Sequence, residues 1–594
     1  MYEYIRYTEL NKCRAIFINI DLILVVSKVN LLSCHMSEKY HYYTITAALP
    51  YANGPLHIGH LAGVYIPADI FVRYLRRKGK DVIFICGSDE HGVPITLRAK
   101  KEGISPQEVV DKYHFLIKEC FEKFNISFDH YSRTSSSIHH KTASDFFKKL
   151  YDRGLLIEEV SKQYYDEKEG QFLADRYILG ICPHCKNANA YGDQCEKCGI
   201  SLSPNELIHP RSALSGNSPI LKDTHQWYLP LASYEAFLKQ WILKKEWKTN
   251  VYSQSKSWIE GGLKPRSITR DLNWGIPVPI KEVENKVLYV WFDAPIGYIS
   301  STIEWAKNNK KNWKNYWKNK YTSLINFIGK DNIVFHCIIF PVMLKAHGDY
   351  ILPKYIHANE FLNLENKKIS TSRNWAVWLH EYLEEFPNQQ DVLRYVLTTK
   401  MPENKDNNFS WKDFQIHNNS ELVGILGNFI HRTNVLTRKY FCGKVPYPST
   451  FREKDRKVLK NLLLFPDNIG SLIEKYHFRE ALNEFMKIAR MGNKYLTEEA
   501  PWKIHEHDPT RSKTILYVSL QISGMLAQLS EPFLPHTSEK MMKILRMKPL
   551  PWKILKEKEL LSPNEPLGES SIFLFEKIKK PMIDEQLKKY NLKW

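Results

Sequence analysis

The sequence predicts an α/β protein in which an open parallel β-sheet is split by an inserted segment and followed by an α-helical region. Apolar runs of strand length alternate with helical patterns up to about residue 151 and again from residue 267. Between residues 152 and 266 this alternation pauses, and after Trp411 the pattern is almost wholly helical. A chain of 594 residues has room for about four domains with sizeable cores.

The first predicted strand, residues 42–49, leads through the string His57-Ile58-Gly59-His60 into a helix. The helix is predicted from apolar residues at helical spacing, namely Leu61, Val64, Tyr65, Ala68, Phe71, Val72 and Leu75. Two imidazoles three residues apart at a helix start can hold a phosphate chain, because free N–H groups and a partial positive charge there favour an anion. Taken alone, the string is equally compatible with a turn that carries two solvated histidines.

Two further strands are predicted, each with polar side chains at its end. Residues 81–87 form an apolar run that precedes Asp89, and residues 287–295 form another that ends in aromatic and acidic residues. Ligands bind at the carboxyl ends of the strands in open parallel sheets, so Asp89 is a candidate site residue. The alternative is an aspartate that only shapes a turn.

Four of the ten cysteines are clustered within the inserted segment. Cys182 and Cys185 form one CxxC pair, Cys195 and Cys198 form a second, and nine residues separate the two pairs. Two such turns bring four thiolates to tetrahedral distance around one zinc ion, and a site with no vacant coordination position is structural. The alternative is four ordinary thiols. Zinc-binding thiolates also indicate a reducing compartment.

The charge balance is compatible with a polyanionic partner. Lys and Arg total 84 against 65 Asp and Glu, which gives a net charge of +19 and suits nucleic acid. The chain is also rich in residues that an A/T-biased genome enriches everywhere, so the charge alone decides little.

The amino-terminal segment is the one stretch that raises the question of a signal or membrane anchor. Residues 15–32 are largely apolar and follow basic residues, but Asp21, Lys28 and Asn30 interrupt them. The stretch is too short and too polar for a confident membrane span. We therefore expect residues 1–35 to be an extension with no part in the chemistry, and we expect no membrane partner.

Several motifs resemble those of one enzyme family. His57-Ile58-Gly59-His60 resembles the HIGH signature of class I aminoacyl-tRNA synthetases, and Lys368-Ile369-Ser370-Thr371-Ser372-Arg373 resembles their KMSKS loop with substitutions. Residues 48–54, 291–298 and 327–331 are similar to the methionyl-tRNA synthetase family, in family order. The resemblance runs from about Met36 to the carboxyl end, and the segment between the sheet halves is too short for the large editing insertion of the valine, leucine and isoleucine enzymes.

The resemblance implies that methionine and ATP, the latter with Mg²⁺, give methionyl-adenylate and pyrophosphate. The methionyl group is then transferred to the terminal adenosine of the initiator and elongator methionine tRNAs. The resemblance assigns catalysis to His57, His60, Lys368 and Thr371, and ATP binding to these four together with Asn53 and Gly59. The family usually carries a lysine at the position of Thr371.

The resemblance also implies a methionine pocket and a separate adenylate contact. The pocket residues would be Leu49, Tyr51, Asp89, Trp291, Ala294, Pro295, Tyr298 and His336, with Asp89 holding the ammonium group. Arg270 would serve the adenylate-forming site. Aromatic edges contact a thioether favourably, but a cluster of aromatics is ordinarily core, and each charged residue could belong to a structural ion pair.

Anticodon recognition is expected on the helix that starts near Ser420. Apolar residues Leu422, Val423, Leu426, Phe429 and Ile430 mark one face, whereas Asn428 and Arg432 lie one turn apart on the opposite face. With Trp502, these two residues match the family's anticodon readers, which combine hydrogen bonds to unstacked bases with aromatic stacking. Singly, each would be interpreted as a solvated polar side chain or a packed Trp.

The expected organisation is a Rossmann-type catalytic domain in two halves, a zinc-bearing connective insertion, a linking region and a helical-bundle anticodon-binding domain. The corresponding ranges are 36–151 and 267–361, 152–266, 362–415 with the KMSKS-like loop and stem contacts, and 416–594. We expect a cytoplasmic protein, and we expect a monomer because the appended dimerisation module of some relatives is absent. Competing hypotheses are a non-catalytic tRNA-binding paralogue, favoured only by the altered loop, and an adenylyl-transferring enzyme, which leaves the anticodon residues unexplained.

Overall fold

The computed structural model describes residues 40–591 except 193, 194, 196, 199, 201, 372, 558 and 569–572. The expected extension at residues 1–35 and Ser372 of the KMSKS-like loop therefore lie outside the described residues.

A five-stranded parallel sheet forms the centre of the amino-terminal half. Its strands are β1 (Tyr42–Ala47), β2 (Asp81–Ser88), β3 (His130–Arg133), β4 (Thr322–Gly329) and β5 (Tyr355–Asn359). They are arranged in the order β5-β4-β1-β2-β3, and every neighbouring pair is parallel. The chain runs from β1 outward to β3 and returns as β4 on the other side of β1, which confirms the predicted parallel sheet and places a topological switch point between β1 and β4.

Apolar side chains bury the central strands on both faces, as a parallel sheet covered by helices requires. In β1 every residue after the first is buried, and in β2 every residue except Asp81 is buried. The helices of this half are Ile66–Arg77, Val93–Glu102, Pro106–Lys123, Ser137–Asp152, Val290–Asn308, Lys314–Trp317, Phe340–His347 and Leu379–Glu385. Burial on both faces explains why β1 and β2 appear in the sequence as continuous apolar runs.

The strand predicted at residues 287–295 is wrong. The chain forms a two-residue strand, Val287–Leu288, and then the 19-residue helix Val290–Asn308. This helix is buried along most of its length, so its apolar residues are nearly continuous and hide the helical period. Pro295 lies within its second turn.

The inserted segment contains two small antiparallel sheets. One sheet consists, in spatial order, of Arg266–Ser267, Ile220–Leu229, Ile157–Asp166 and Gln171–Phe172. The other consists of Ala190–Tyr191, Ile178–Ile181 and Ile208–Ser212 and carries the four clustered cysteines at its turns. Helices Glu235–Leu243 and Thr249–Glu260 complete the segment, after which Thr269–Arg270 pairs with Val287–Leu288.

The carboxyl-terminal region is helical, as predicted. A small sheet of Lys367–Lys368, Leu362–Leu364 and Asn407–Phe409 precedes most of it. Its helices are Gln390–Thr399, Trp411–Ile416, Asn428–Phe441, Glu453–Leu462, Phe465–Glu474, Phe478–Glu499, Pro501–Ile504, Pro509–Leu529, Pro535–Leu545 and Lys580–Lys588. Pro509–Leu529 is buried on all sides, so it is the central helix of this domain.

In the described part of the chain, three helices contain π-helical segments, in which the backbone hydrogen bonds run from residue i to residue i+5. These segments are Leu61–Tyr65, Phe335–Ile339 and His417–Gly427. The first follows His60, the second contains His336, and the third directly precedes Asn428. Each therefore lies beside a residue that the sequence predicts to be functional.

A buried charge network joins the sheet domain to the helical domain. Asp69 accepts hydrogen bonds from Arg73 Nε at 2.8 Å and from Arg394 Nη2 at 2.7 Å, and both Asp69 and Arg394 are fully buried. Arg394 also donates to the backbone oxygens of Phe533 and Pro532. Burial alone would raise the pKa of Asp69, but Arg73, Arg394 and hydrogen bonds from Ser127 bring it down to about 2.

Among the described residues, no helix combines the length and apolar character needed to cross a bilayer.

Candidate active site, metal centre and nucleic-acid surface

A cavity of about 580 Å³ opens at the carboxyl ends of β1, β2 and β4. This is the edge of the sheet, at the switch point, where open α/β folds bind ligands. The loop after β1 contributes His57 and His60, the loop after β2 contributes Asp89, and Asn332 follows the end of β4. The cavity also takes its walls from the inserted segment and from the KMSKS-like loop.

His57 and His60 form a stacked pair at the start of the helix. Their ring centroids are 3.7 Å apart, His57 Nδ1 accepts a hydrogen bond from Gly59 N at 3.1 Å, and His60 Nδ1 accepts one from His57 N at 3.2 Å. Burial lowers the pKa of His60 to about 4 and, with the neighbouring ring, lowers that of His57 well below its usual range. Both imidazoles are therefore neutral and carry their proton on Nε2, which leaves two donors for an anion.

The expectation of free backbone N–H groups at this helix start is wrong. Ile58 N donates to Val377 O at 3.1 Å, and Gly59 N is taken by the His57 ring. A Cβ added at Gly59 would approach that ring at 3.0 Å and Ile369 Cδ1 at 3.3 Å. Glycine suits this position because the His57 imidazole and Ile369 of the KMSKS-like loop both crowd the space that a Cβ would take. The imidazole side chains, rather than the backbone amides, therefore remain available to a ligand.

All eight residues predicted for the methionine pocket line the cavity. Four of them, Trp291, Ala294, Pro295 and Tyr298, lie on the helix Val290–Asn308 at the spacing i, i+3, i+4, i+7, which is one helical face. Trp291 stacks on Phe335 with ring centroids 3.8 Å apart. Leu49 and Tyr51 contribute to the wall from the loop after β1.

His336 and Tyr298 form a buried, hydrogen-bonded pair in the wall of the pocket. His336 Nδ1 lies 3.0 Å from Asn332 O, so this nitrogen carries the proton, and the ring's Nε2 accepts from Tyr298 Oη at 3.0 Å. Burial lowers the pKa of His336 to about 4, so the pair is uncharged. An uncharged aromatic wall suits an apolar thioether.

Asp89 is held rigidly beside Tyr51. Asp89 N donates to Pro50 O and Ala52 N donates to Asp89 O, both at 2.8 Å. The side chain is 3% exposed, and burial and the nearby Asp293 raise its pKa well above the usual range. Burial disfavours the charged form of this carboxyl group, and a cationic ligand bound beside it would stabilise that form.

The KMSKS-like loop is a short hairpin that closes one side of the cavity. Lys368 and Ile369 line the cavity, and the backbones of Ser370 and Trp375 exchange hydrogen bonds of 3.0 and 2.9 Å. Thr371 is exposed, its carbonyl accepts from Asn374 N at 3.2 Å, and it does not contribute to the cavity wall. Of the predicted ATP contacts, Asn53, His57, Gly59, His60 and Lys368 thus meet in one place and Thr371 lies apart.

Arg270 lines the cavity beside the inserted segment. Its Nη1 donates to Ser267 Oγ at 3.0 Å and Thr269 O at 2.8 Å, and its guanidinium carbon lies 3.8 Å from the Tyr289 ring centroid. Sequence reasoning missed a second arginine in the wall, Arg176, because a single arginine in a loop carries no periodic pattern.

The four clustered cysteines meet as predicted. Their Sγ atoms all lie within 4.8 Å of one another, with Cys182–Cys198 at 3.9 Å and Cys185–Cys195 at 3.5 Å. Zinc–sulfur bonds of about 2.3 Å in a tetrahedron require sulfurs about 3.8 Å apart, so the cluster fits zinc. Asn187 Nδ2 lies 3.6 Å from Cys195 Sγ, and backbone bonds from Lys186 to Cys182 and from Cys195 to Ile200 shape the two turns.

The predicted anticodon residues form one surface cluster on the helical domain. The Arg432 guanidinium lies 4.7 Å from the Trp502 ring centroid, and Trp502 is 37% exposed. Asn428 Nδ2 and Arg432 Nη1 each lie 3.4 Å from an acceptor on the helix Phe478–Glu499, Asn493 Oδ1 and Thr497 Oγ1 respectively. Of the five apolar residues opposite them, all except Val423 are buried.

Two family models match consecutive parts of this chain. The family described as tRNA synthetases class I (M) matches residues 43–434, and the anticodon binding domain of methionyl tRNA ligase matches residues 445–594. A methionine–tRNA ligase of Christiangramia forsetii is 60% identical over 564 residues, covering 93% of this chain and 82% of the relative. One of Bacteroides fragilis is 59% identical over 556 residues, covering 93% and 81%.

A solved structure with the same fold is a methionyl-tRNA synthetase of Mycobacterium tuberculosis in complex with methionyl-adenylate. It has a TM-score of 0.75 and 24% sequence identity, and the match covers 90% of this chain and 99% of that one.

Proposed function

Because this chain belongs to the methionine–tRNA ligase family of class I tRNA synthetases, we propose that its central cavity activates methionine with the residues described above. Members of this family are ATP-dependent enzymes that attach methionine to tRNA, and this chain is such a ligase. One observation carries the assignment of the site: a single cavity holds all eight predicted methionine contacts together with His57, His60 and Lys368.

In this proposal the methionine side chain enters the aromatic end of the cavity. Trp291 and Tyr298 contact the thioether, and the uncharged His336 closes the pocket without offering a charge to a polar competitor. Asp89 receives the ammonium group, whose positive charge stabilises the buried carboxylate. These contacts hold the methionine carboxylate at the mouth of the ATP side of the cavity.

On the ATP side the methionine carboxylate attacks the α-phosphate and pyrophosphate leaves. The neutral His57 and His60 donate from Nε2 to phosphate oxygens, while Lys368 offsets the charge that accumulates on the pyrophosphate. ATP enters as its Mg²⁺ complex. Thr371 lies outside the cavity wall, so its role at the leaving group requires the loop to close further.

An amino-acid-dependent ATP–pyrophosphate exchange assay tests this function. We expect exchange with methionine and negligible exchange with the other nineteen standard amino acids. Tight binding of methionine tRNA without methionine-dependent exchange would instead favour the non-catalytic paralogue.

We propose that the cluster of Asn428, Arg432 and Trp502 binds the anticodon of the initiator and elongator methionine tRNAs. An amide and a guanidinium supply hydrogen bonds to base edges, and an exposed indole supplies a stacking surface. The match of residues 445–594 to an anticodon binding domain supports this placement for Trp502.

Replacing Trp502 by Ala is expected to reduce aminoacylation of tRNA at least several-fold while sparing pyrophosphate exchange. Stacking is worth about 1–3 kcal/mol per base, and the cluster does not touch the cavity. The matched control is Trp258→Ala, since Trp258 is 38% exposed but lies on the inserted segment. Equal loss of both activities in Trp502→Ala would indicate a folding defect and contradict the assignment.

We propose that the cysteine cluster binds one structural zinc ion. When bound, zinc ties the two turns of the inserted segment together and leaves no coordination position open for substrate. All eight described cysteines are free thiols, which is typical of proteins from a reducing compartment and supports a cytoplasmic location. The predicted monomeric state is a separate proposal, which light scattering can test.

Replacing Cys185 by Ser is expected to abolish stoichiometric zinc and make the inserted segment more sensitive to limited proteolysis, because metal binding and folding are coupled. Elemental analysis measures the first effect, and Cys442→Ser, at an exposed cysteine outside the cluster, is the matched control. Wild-type protein that is purified without chelator and contains no stoichiometric zinc would contradict the proposal.

We propose the domain boundaries given by the sequence. The two small antiparallel sheets, which are separate from the parallel sheet, support an insertion at residues 152–266. The succession of helices after Trp411 supports a separate helical domain from about residue 416.

A further inference from the structure

The π-helical segment Leu61–Tyr65 connects the histidine pair of the active site to the rest of the first helix. It begins directly after His60, and the backbone N–H groups of residues 60 and 61 both donate to His57 O. The last three residues of the segment line the active-site cavity. A shift of this segment would therefore move both imidazoles and part of the cavity wall.

The carbonyl oxygen of Ala62 is left out of the hydrogen-bond pattern of its own helix. Ile66 N donates to Leu61 O, whereas in an α-helix it would donate to Ala62 O. The π-helical pattern would next supply the N–H of residue 67, but Pro67 has no N–H. Because Ala62 is fully buried, its oxygen needs a donor from another part of the protein.

Asn359, the last residue of β5, supplies that donor. Its Nδ2 donates to Ala62 O at 3.2 Å, and Asn359 is itself fully buried. The bond links the second half of the split sheet domain to the helix that follows β1. An asparagine suits this position because its short side chain carries a donor and an acceptor together.

Lys248, which comes from the inserted segment, holds the acceptor end of the Asn359 amide. Its Nζ donates to Asn359 Oδ1 at 3.2 Å and to Ala358 O at 3.0 Å, and it also donates to Glu403 O. An ammonium group can only donate, so this contact requires the oxygen of the amide to face Lys248 and directs Nδ2 towards Ala62 O. The orientation of the Asn359 side chain is thus defined at both ends of its amide.

A second hydrogen bond holds the far end of the π-helical segment. Tyr65 Oη donates to Ala48 O at 3.0 Å, and Ala48 directly follows β1 and precedes Leu49 of the methionine pocket. The bond from Asn359, in contrast, reaches the residue two positions after His60. It therefore bears most directly on the histidine pair.

We propose that Asn359 is a positioning residue for adenylate formation: its hydrogen bond to Ala62 O fixes the π-helical segment and thereby the direction in which His57 and His60 present their Nε2 donors. The proposal rests on the proposed function, in which these donors stabilise the charge on phosphate oxygens in the transition state. Without the bond, the buried Ala62 oxygen would be unsatisfied, and the segment would have to shift to bring it to another donor or to water. Small displacements of donors at a developing charge slow the chemical step more than they weaken ground-state binding.

The test compares the same substitution at two fully buried asparagines of the parallel sheet. Asn359→Asp keeps the acceptor for Lys248 and removes the donor for Ala62 O. The matched control is Asn326→Asp, because Asn326 lies on β4, donates to Thr46 Oγ1 and does not line the cavity. Asn359→Leu removes the donor without adding a charge and repeats the test if the carboxylate prevents folding.

Methionine-dependent pyrophosphate exchange is measured for each full-length variant over a range of ATP and methionine concentrations. The assay temperature is set below the unfolding temperature that differential scanning calorimetry gives for the least stable variant. We expect Asn359→Asp and Asn359→Leu to lower kcat about tenfold or more, with both KM values changed less than about threefold. Asn326→Asp should unfold at a lower temperature but keep kcat within about twofold of wild type, because it loses a buried hydrogen bond away from the site.

A kcat within about twofold of wild type in a folded Asn359 variant would overturn the proposal. A loss of activity that lies wholly in KM would overturn it as well, since the bond would then serve ground-state binding. Absence of methionine-dependent exchange in the wild-type protein would instead refute the proposed function of the cavity.

Discussion

Replacing Lys368 by Ala is expected to slow methionine-dependent pyrophosphate exchange about a hundredfold, with a much smaller change in methionine binding. Loss of one preorganised donor at a developing negative charge typically has an effect of this order. Lys368 is the lysine of the hairpin that reaches the cavity, and the hairpin is fixed to the His57 loop by the bond from Ile58 N to Val377 O. The expected loss is therefore in the rate of the chemical step.

Lys367→Ala is the matched control for this experiment. Lys367 adjoins Lys368 and is also exposed, but its ammonium lies 4.8 Å from the Trp375 ring centroid and it does not line the cavity. We expect this variant to keep nearly wild-type exchange. Equal rates for the two variants would mean that the hairpin contributes only general positive charge.

Replacing Arg394 by Ala is expected to destabilise the protein by about 3–5 kcal/mol, because it leaves the fully buried Asp69 with one cation fewer and removes the bonds to Phe533 and Pro532. Differential scanning calorimetry should show a clearly lower unfolding temperature. Arg490→Ala is the control: Arg490 is 41% exposed and its ion pair with Glu421 is 3.6 Å long, so its loss should be nearly neutral. Equal unfolding temperatures for the two variants would contradict the role of the network.

The same network predicts a pH dependence of stability. The pKa of Asp69 is lowered from 3.8 to about 2 in the folded protein. A carboxyl with a lowered folded-state pKa stabilises the fold above its unfolded pKa, and this contribution is lost as the pH falls from about 4 to about 2. In Asp69→Asn this acid-dependent part of the unfolding free energy, on the order of 2 kcal/mol, should be absent.

Local sequence patterns predicted the parts of the site that depend on neighbours in the chain. The apolar runs of β1 and β2, the histidines after β1 and the two CxxC turns all lie where the sequence places them, because each depends on a few consecutive residues. The methionine-pocket residues from Trp291 to Tyr298 were assigned by resemblance although their segment was predicted as a strand. Their spacing of three, one and three residues is that of one helical face, but the apolar residues between and around them hide this period in the sequence.

Features that depend on distant parts of the chain could not be predicted in this way. The N–H group of Ile58 is satisfied by Val377, which lies more than three hundred residues further along the chain. Arg176 reaches the cavity only because the inserted segment folds back against the helix after β2. Neither contact produces a periodic or compositional pattern in the sequence, because both depend on how segments that are distant in the chain pack together.

The π-helical segment His417–Gly427 sets the rotational phase of the helix that follows it, Asn428–Phe441. An α-helix advances about 100° per residue, so each turn that takes up one extra residue rotates everything beyond it by about that angle. Beyond the segment, Asn428 faces Asn493 and Arg432 faces Thr497, each pair at 3.4 Å. Many substitutions within the segment would therefore preserve this phase. Deletion of one residue, in contrast, would turn the side chains of Asn428 and Arg432 away from Asn493 and Thr497.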